Sequence, residues 1–333
     1  MRQTPATGPF PASSTLGPAE RQAALDAAQV DELDVVVIGG GVVGAGVALD
    51  AVTRGLTVAM FEGRDWAAGT SSRSSKLVHG GLRYLEMLDF GLVREALRER
   101  GLLAQRLAPH LVRPVPFLYP LKHRGWERLY AGAGVALYDT MGGIRSSTRS
   151  FSRARHLTRR GALRQSPGLR KDSLVGAIQY YDAQVDDARH TAAVVRTAAA
   201  YGALVANRAR VIGFLREGER VTGVRVRDFE SDSELEVRAR QVVNATGVWT
   251  DMTQAMAGER GQFHVRASKG VHLVVPRDRI QSATGLILRT ETSVLFVIPW
   301  GRHWIIGTTT PTGRSARRTR PHPVPTSTTC SST

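Results

Sequence analysis

The sequence predicts an α/β fold organised around a dinucleotide-binding unit, and three observations carry that prediction. Residues 34–38, Asp-Val-Val-Val-Ile, form a short β-branched apolar run of the kind buried in a parallel sheet. The run leads straight into Gly39, Gly40, Gly41 and Gly44, where Gly39, Gly41 and Gly44 make the pattern G-x-G-x-x-G and a small-residue, apolar helical stretch continues to Gly55. A second β run, residues 56–61, closes at Glu62.

Each piece has a physical task. The first glycine permits the tight turn, the second lets backbone approach a pyrophosphate, and the third lets the helix pack close on the strand. The helix N-terminus turns free N–H groups and a partial positive charge toward the phosphates. Glu62 stands at the end of the second strand, where a carboxylate accepts hydrogen bonds from an adenosine ribose. This is a Rossmann-type unit; NAD and FAD both use it.

Further along, residues 90–107 have apolar residues at helical spacing, and Pro109 stops them. Residues 112–121 hold Pro114, Pro116 and Pro120, so they read as an extended crossing segment rather than a central strand. Residues 126–141 predict a helix, 176–181 a strand, and 186–201 a helix that begins with acidic residues, where the macrodipole favours them. Residues 208–215, 221–229 and 235–243 alternate as a three-stranded meander, and 271–275, 286–288, 294–298 and 304–306 continue as strands.

Composition narrows the function classes. No apolar run reaches the roughly 20 residues needed to span a bilayer. Residues 1–30 lack the basic start and apolar block of a secretory signal. Cys330 is the single cysteine, which leaves no disulfide within the chain and no cysteine-cluster metal site; no metal is expected. The net charge of +16 fits either a solvated surface or an anionic membrane surface; no nucleic-acid motif accompanies it, so nucleic acid is not an expected partner. Trp126, Arg128, Tyr130 and Tyr138 suit a lipid-facing helix or the packing of a cap helix.

Two later segments bear on the choice of cofactor. Residues 70–83, Thr-Ser-Ser-Arg-Ser-Ser-Lys-Leu-Val-His-Gly-Gly-Leu-Arg, form a small-residue loop able to wrap a second phosphate and a flavin ring. Residues 242–247, Val-Val-Asn-Ala-Thr-Gly, are a strand ending in small residues, as needed where chain passes close beside a cofactor.

With Asp186-Asp187-Ala188-Arg189, Asn244-Ala245-Thr246-Gly247-Val248-Trp249, Lys269-Gly270-Val271-His272-Leu273 and Phe296-Val297-Ile298-Pro299-Trp300, these segments closely resemble the respiratory, FAD-dependent glycerol-3-phosphate dehydrogenases. The run Ser74-Ser75-Lys76-Leu77-Val78-His79-Gly80-Gly81-Leu82-Arg83-Tyr84 is the most specific part. The resemblance implies a D-amino-acid-oxidase-like FAD-binding domain interleaved in sequence with an α+β substrate domain. It implies residues 31–110 as the first FAD-binding part, 111–180 as a substrate or cap part, 181–260 as the FAD-domain return and 261–309 as the substrate-domain sheet. Residues 1–30 and 310–333 are expected to be disordered.

The activity implied is oxidation of sn-glycerol 3-phosphate to dihydroxyacetone phosphate, with hydride passing to the flavin and electrons then to a quinone, in a cytoplasmic enzyme peripheral on the inner face of the cell membrane. The implied cofactor-binding residues are Gly39, Gly40, Gly41, Gly44, Glu62, Ser74, Ser75, His79, Gly80, Gly81, Ala245, Thr246 and Gly247. Arg83 and Tyr84 match the family's substrate-side pair, and Lys269 joins them as a substrate candidate. His79 and His272 are the candidate bases; His272, Lys269 and His303 have structural readings of equal weight.

The resemblance stops after Gly307-Thr308-Thr309, where Thr310 replaces the family's acidic residue and an Arg/Pro/Thr/Ser tail follows. A reading-frame shift near codon 310 is the expectation, with loss of the region that completes the flavin and phosphate sites in the family. The rival readings are a glycerol-3-phosphate oxidase or related flavin oxidase, and a non-catalytic nucleotide-binding fragment.

Overall fold

A computed structural model describes residues 15–80, 89–123, 125–143, 151–258, 264–265, 270–289 and 294–309. In chain order the helices are α1 (Pro18–Ala27), α2 (Val42–Thr53), α3 (Phe90–Leu102), α4 (Trp126–Gly143), α5 (Arg159–Gln165), α6 (Asp187–Ala200) and α7 (Thr250–Met256). The strands are β1 (Leu33–Ile38), β2 (Val58–Phe61), β3 (Leu77–Val78), β4 (Arg113–Leu121), β5 (Arg155–Thr158), β6 (Gly176–Gln184), β7 (Leu204–Ala206), β8 (Ala209–Glu217), β9 (Arg220–Asp228), β10 (Glu234–Asn244), β11 (Val271–Pro276), β12 (Gly285–Arg289), β13 (Val294–Trp300) and β14 (His303–Thr309).

Two sheets organise the chain. A six-stranded sheet has the order β7-β2-β1-β10-β9-β8, and an eight-stranded sheet has the order β11-β14-β13-β12-β4-β6-β3 with β5 also on β6. The chain supplies β1 and β2 to the first sheet, crosses to the second for β3 to β6, returns for β7 to β10, and crosses again for β11 to β14. The two units are therefore interleaved in sequence.

β1 lies between β2 and β10, parallel to both, and is buried on both faces from Val35 to Ile38, which is why that stretch is a continuous apolar run. Val35 and Val37 pack against Ala45, Ala48, Ala51 and Val52 of α2 and against Val195 and Ala198 of α6. Val36 and Ile38 join a second core with Val224, Val226 and Val237 of the meander and Leu25 of α1. In the second sheet, Val115, Phe117, Ile178 and Tyr180 face Val93 and Leu97 of α3 and Val135 and Tyr138 of α4. On its other face Leu118, Ala177, Leu286 and Trp304 cluster with Ala162 of α5.

Two expectations need correction. The segment 112–121 is not a crossing segment: β4 is an interior strand between β12 and β6. Pro114, Pro116 and Pro120 share one parity, so their missing N–H groups fall on one side of the strand. The ladder to β6 runs the full strand, whereas that to β12 is limited to Phe117 and Leu118. The predicted disorder of residues 1–30 fails over α1. There Gly17 N–H donates to Glu20, Pro18 opens the helix, and buried Arg21 pairs with Asp228 and donates to the Asn207 carbonyl at 2.9 Å. The helix expected over 90–107 is present, α-helical to Leu102 and closing in a π turn, Leu103–Leu107. Residues 310–333 lie outside the described residues.

Candidate cofactor and substrate site

β1, β2 and β10 end in register, with Ile38 level with Phe61 and Asn244, so Gly39, Glu62 and Ala245 leave the sheet together at its carboxyl edge. Ligands of parallel α/β sheets bind at this kind of edge. Gly39 N–H donates to the Phe61 carbonyl at 2.8 Å, and Ala245 N–H to the Ile38 carbonyl at 2.9 Å. Gly39 has φ +109°, a conformation that only glycine takes without strain, and a Cβ there would lie 2.6 Å from the Ala245 carbonyl oxygen. A Cβ on Gly44 would overlap the Gly39 carbonyl oxygen, so α2 can pack this close only with glycine at that position.

Gly41 caps α2, and Gly40 lies against Glu62 and the Trp66 ring. The Glu62 carboxylate accepts Gly40 N–H at 2.7 Å and Arg64 N–H at 2.8 Å, so it shapes the glycine turn. Each oxygen keeps acceptor capacity for a ligand hydroxyl. Ser71 Oγ accepts the Val42 N–H at 2.9 Å, occupying one of the free donors at the start of α2.

The Asn244-Ala245-Thr246-Gly247 segment is tied internally. Thr246 donates from its hydroxyl to Asn244 Oδ1 at 2.6 Å, and Gly247 has φ +57°. Trp249 lies over Gly69 and under the Arg64 guanidinium, 5.1 Å from the ring centre, which holds this segment against the chain leading into residues 70–80.

That loop is anchored from below. Ser74 donates its N–H and its hydroxyl to Asp187 Oδ2 at 3.1 and 2.7 Å, and Lys76, at φ +61°, pairs with Asp187 and donates to the Ser72 carbonyl at 2.8 Å. Burial pushes the Asp187 carboxyl up, but hydrogen bonds from Lys76 and Ser74 outweigh it and hold the group below the usual carboxylate range. Lys76 Nζ also sits 5.6 Å from the centre of the Trp300 ring, joining this loop to β13. Ser74 thus acts on protein; Ser75 is half-buried beside it.

Gly80 is buried, and its N–H donates to the Tyr138 hydroxyl at 2.7 Å. His79, exposed at the end of β3, lies within electrostatic reach of Asp182. His272, on β11, lies instead near Lys76; its Nε2 is buried with no hydrogen-bond partner among the described residues, and burial together with Lys76 pushes its pKa down. The two candidate bases thus have different surroundings. Gly81, Arg83, Tyr84 and Lys269 lie outside the described residues.

A model of the FAD dependent oxidoreductase (DAO) family matches residues 34–329. The chain belongs to that family. Glycerol-3-phosphate dehydrogenase of Mycobacterium leprae is 62% identical over 297 residues, covering 89% of this chain and 50% of the relative. Glycerol-3-phosphate dehydrogenase 2 of Mycobacterium tuberculosis is 62% identical over 307 residues, covering 92% and 52%. The structure of the glycerol-3-phosphate dehydrogenase from Bacillus halodurans, complexed with FAD, superposes with a TM-score of 0.68 at 31% identity, covering 87% of this chain and 50% of that one. The chain spans about half the length of the curated relatives it matches. The FAD dependent oxidoreductase match continues to residue 329, past Thr309 where the motif resemblance ended.

The residues present fit FAD, the cofactor that names the family: a turn closed to a Cβ at Gly39 and Gly44, a helix N-terminus and an acid meet at one sheet edge. Sequence reasoning held Ser71 and Asp187 inside quoted motifs and Tyr138 on a helix face without finding their partners, and it did not single out Arg100 or Asp182. Asp182, an acid within the otherwise uncharged strand 176–184, was the one visible signal.

Proposed function

We propose that this chain is the FAD-binding part of a glycerol-3-phosphate dehydrogenase, which oxidises sn-glycerol 3-phosphate to dihydroxyacetone phosphate and passes electrons to a quinone. The observation that carries the reading is the junction of the Gly39–Gly44 turn, Glu62 and the Ser74-to-Gly80 loop, within a chain 62% identical to proteins of that name. FAD bound there would accept the hydride from the substrate's secondary alcohol. Glu62 and the start of α2 would hold its adenosine and phosphate side. Arg83, Tyr84 and Lys269 are the substrate-phosphate candidates, and Arg83 offers a planar fork that matches a phosphate dianion.

A base must accept the alcohol proton, and a neutral imidazole can do so. His272 has the environment that keeps it neutral, since burial and Lys76 both disfavour its charged form. A general base produces an acid limb in the pH profile. If His272 is the base, that limb lies below the usual histidine range and is lost in His272→Asn; if His79 is the base, His79→Asn removes it instead.

For the membrane side, α4 leaves Trp126 (63% exposed) and Leu129 (75%) on its surface with Leu137, next to exposed Lys122 and His123. This stripe and the +16 charge support contact with an anionic membrane surface. Two residues first considered for that role point elsewhere: Tyr138 is buried against Gly80, and Arg128 donates to the Leu157 carbonyl. No helix among the described residues is long and apolar enough to cross a membrane.

The test is the absorbance of FAD-loaded protein under anaerobic conditions. Loss of the visible flavin bands on adding glycerol 3-phosphate, and not glycerol, is expected; a folded, FAD-loaded chain that keeps its bands would overturn the assignment of substrate.

A further inference from the structure

Three polar side chains from three separate elements meet inside the core of the second unit. Arg100 of α3 and Asp182 of β6 are 5% and 4% exposed, and they form an ion pair at 2.6 Å. Tyr138 of α4 is fully buried between them and Gly80. Its hydroxyl donates to Asp182 at 3.0 Å and accepts the Gly80 N–H at 2.7 Å. Arg100 also donates to the Tyr181 carbonyl at 3.3 Å, and its guanidinium lies 4.5 Å from the centre of the Phe151 ring.

An apolar set of similar volume would fill this space at lower cost, because taking two charges out of water is only partly offset by their attraction. What an apolar set cannot do is aim a hydroxyl. A tyrosine O–H has one proton to donate, and its hydrogen bond to Asp182 uses it, which turns an oxygen lone pair toward Gly80. Arg100 in turn fixes Asp182 through a charge-assisted bond. Arg100 also donates to the Tyr138 hydroxyl at 3.4 Å, and on the tyrosine side the polar chain ends at the Gly80 backbone N–H.

Gly80 has no room to move there. A Cβ at that position would overlap Leu97 and lie 2.8 Å from the Tyr138 hydroxyl. The segment from Ser74 to Gly80 is thus pinned at both ends, by Asp187 at Ser74 and by Tyr138 at Gly80.

We propose that Arg100, Asp182 and Tyr138 are positioning residues that hold the Gly80 peptide, and with it the His79 loop, in the conformation that receives the flavin. None of the three need touch the cofactor; they act through Gly80. The functional half of this inference rests on the FAD reading above, whereas the structural half concerns the chain alone.

The test uses Tyr138→Phe, which removes only the hydroxyl, beside Tyr180→Phe, which removes a buried hydroxyl from the same core without touching Gly80. Amide hydrogen exchange at Gly80 is read in the full chain without added flavin, and FAD affinity is read by quenching of flavin fluorescence. Tyr138→Phe is expected to speed exchange at Gly80 and to weaken FAD binding, each by about tenfold, the scale of one buried hydrogen bond. Tyr180→Phe is expected to leave both near the wild-type values. Should Tyr138→Phe fail to fold, Asp182→Asn keeps an acceptor for the hydroxyl but loses the charge, and a smaller increase in exchange is expected. Unchanged Gly80 exchange in a folded Tyr138→Phe or Asp182→Asn, or equal acceleration in Tyr180→Phe, would overturn the proposal. A wild-type chain that binds no FAD would sink the cofactor reading, and Gly80 exchange would still decide the positioning role.

Discussion

The two ends of the candidate site are built differently. The glycine turn is made by neighbours in sequence: Gly39 to Gly44 bend against a strand they follow directly, and Glu62 returns to Gly40 from 22 residues away. The His79–Gly80 end is assembled from afar, since Arg100 and Asp182 are separated by 82 residues and Tyr138 arrives from a third element. Backbone geometry and absent side chains specify the first end; buried charge specifies the second. The consequence is that damage at the second end should spread into stability, whereas damage at the first should stay mostly in ligand binding.

The largest effect is expected where the assembled end is broken. Arg100→Met leaves Asp182 buried without its partner and should cost about 3–5 kcal/mol of stability, measured by denaturant unfolding. The double variant Arg100→Met, Asp182→Leu should recover most of that loss, because the uncompensated charge goes with it. A double variant no more stable than Arg100→Met would show that packing, and not charge, dominates this region.

A second prediction asks whether the glycine-turn unit also depends on a remote charge pair. Burial pushes the Asp228 carboxyl up, but hydrogen bonds from Arg21, Ser231 and Glu230 N–H overcome it and hold the group far below the usual carboxylate range. A depressed folded pKa means that this stabilisation is complete above the unfolded carboxylate value of about 4 and fades as pH falls below it. Asp228→Asn should therefore cost about 2 kcal/mol near neutral pH, with the gap to wild type narrowing on acidification. A gap that stays constant down to low pH would show that the Arg21 pair is not what holds α1.

The smallest effect belongs to the local end. Ser71→Ala removes the acceptor for Val42 N–H at the start of α2 and should cost about 1 kcal/mol, as for a lost helix cap. Thermal unfolding checks the size, and a loss as large as that of Arg100→Met would erase the contrast between the two ends.

The same contrast explains what was legible in the sequence. Strand, glycine turn, helix, strand and acid were readable because each constraint acts within a few residues, and the fold family followed. β4 was misread because proline was weighed without knowing on which side of the strand its missing donors would fall. α1 was hidden by the Pro, Ala, Ser and Thr composition around it, although Gly17, Pro18 and Glu20 together mark a helix start. Lys76 and Asp187 lay inside quoted motifs, but their pairing depends on a tertiary approach over 111 residues. The Arg100–Asp182–Tyr138 group had no local signal beyond one acid in an otherwise uncharged strand.

The central claim is that FAD sits on the Gly39–Gly44 turn of this chain. A fluorescence titration of FAD into the purified chain and into Gly44→Val, each checked for cooperative unfolding, tests it most directly. Saturable binding by the wild type, weakened at least about 100-fold in the variant, is the predicted result, because a valine there collides with the Gly39 carbonyl and displaces α2 from the turn. Equal binding by both folded proteins, or none by the wild type, would contradict it.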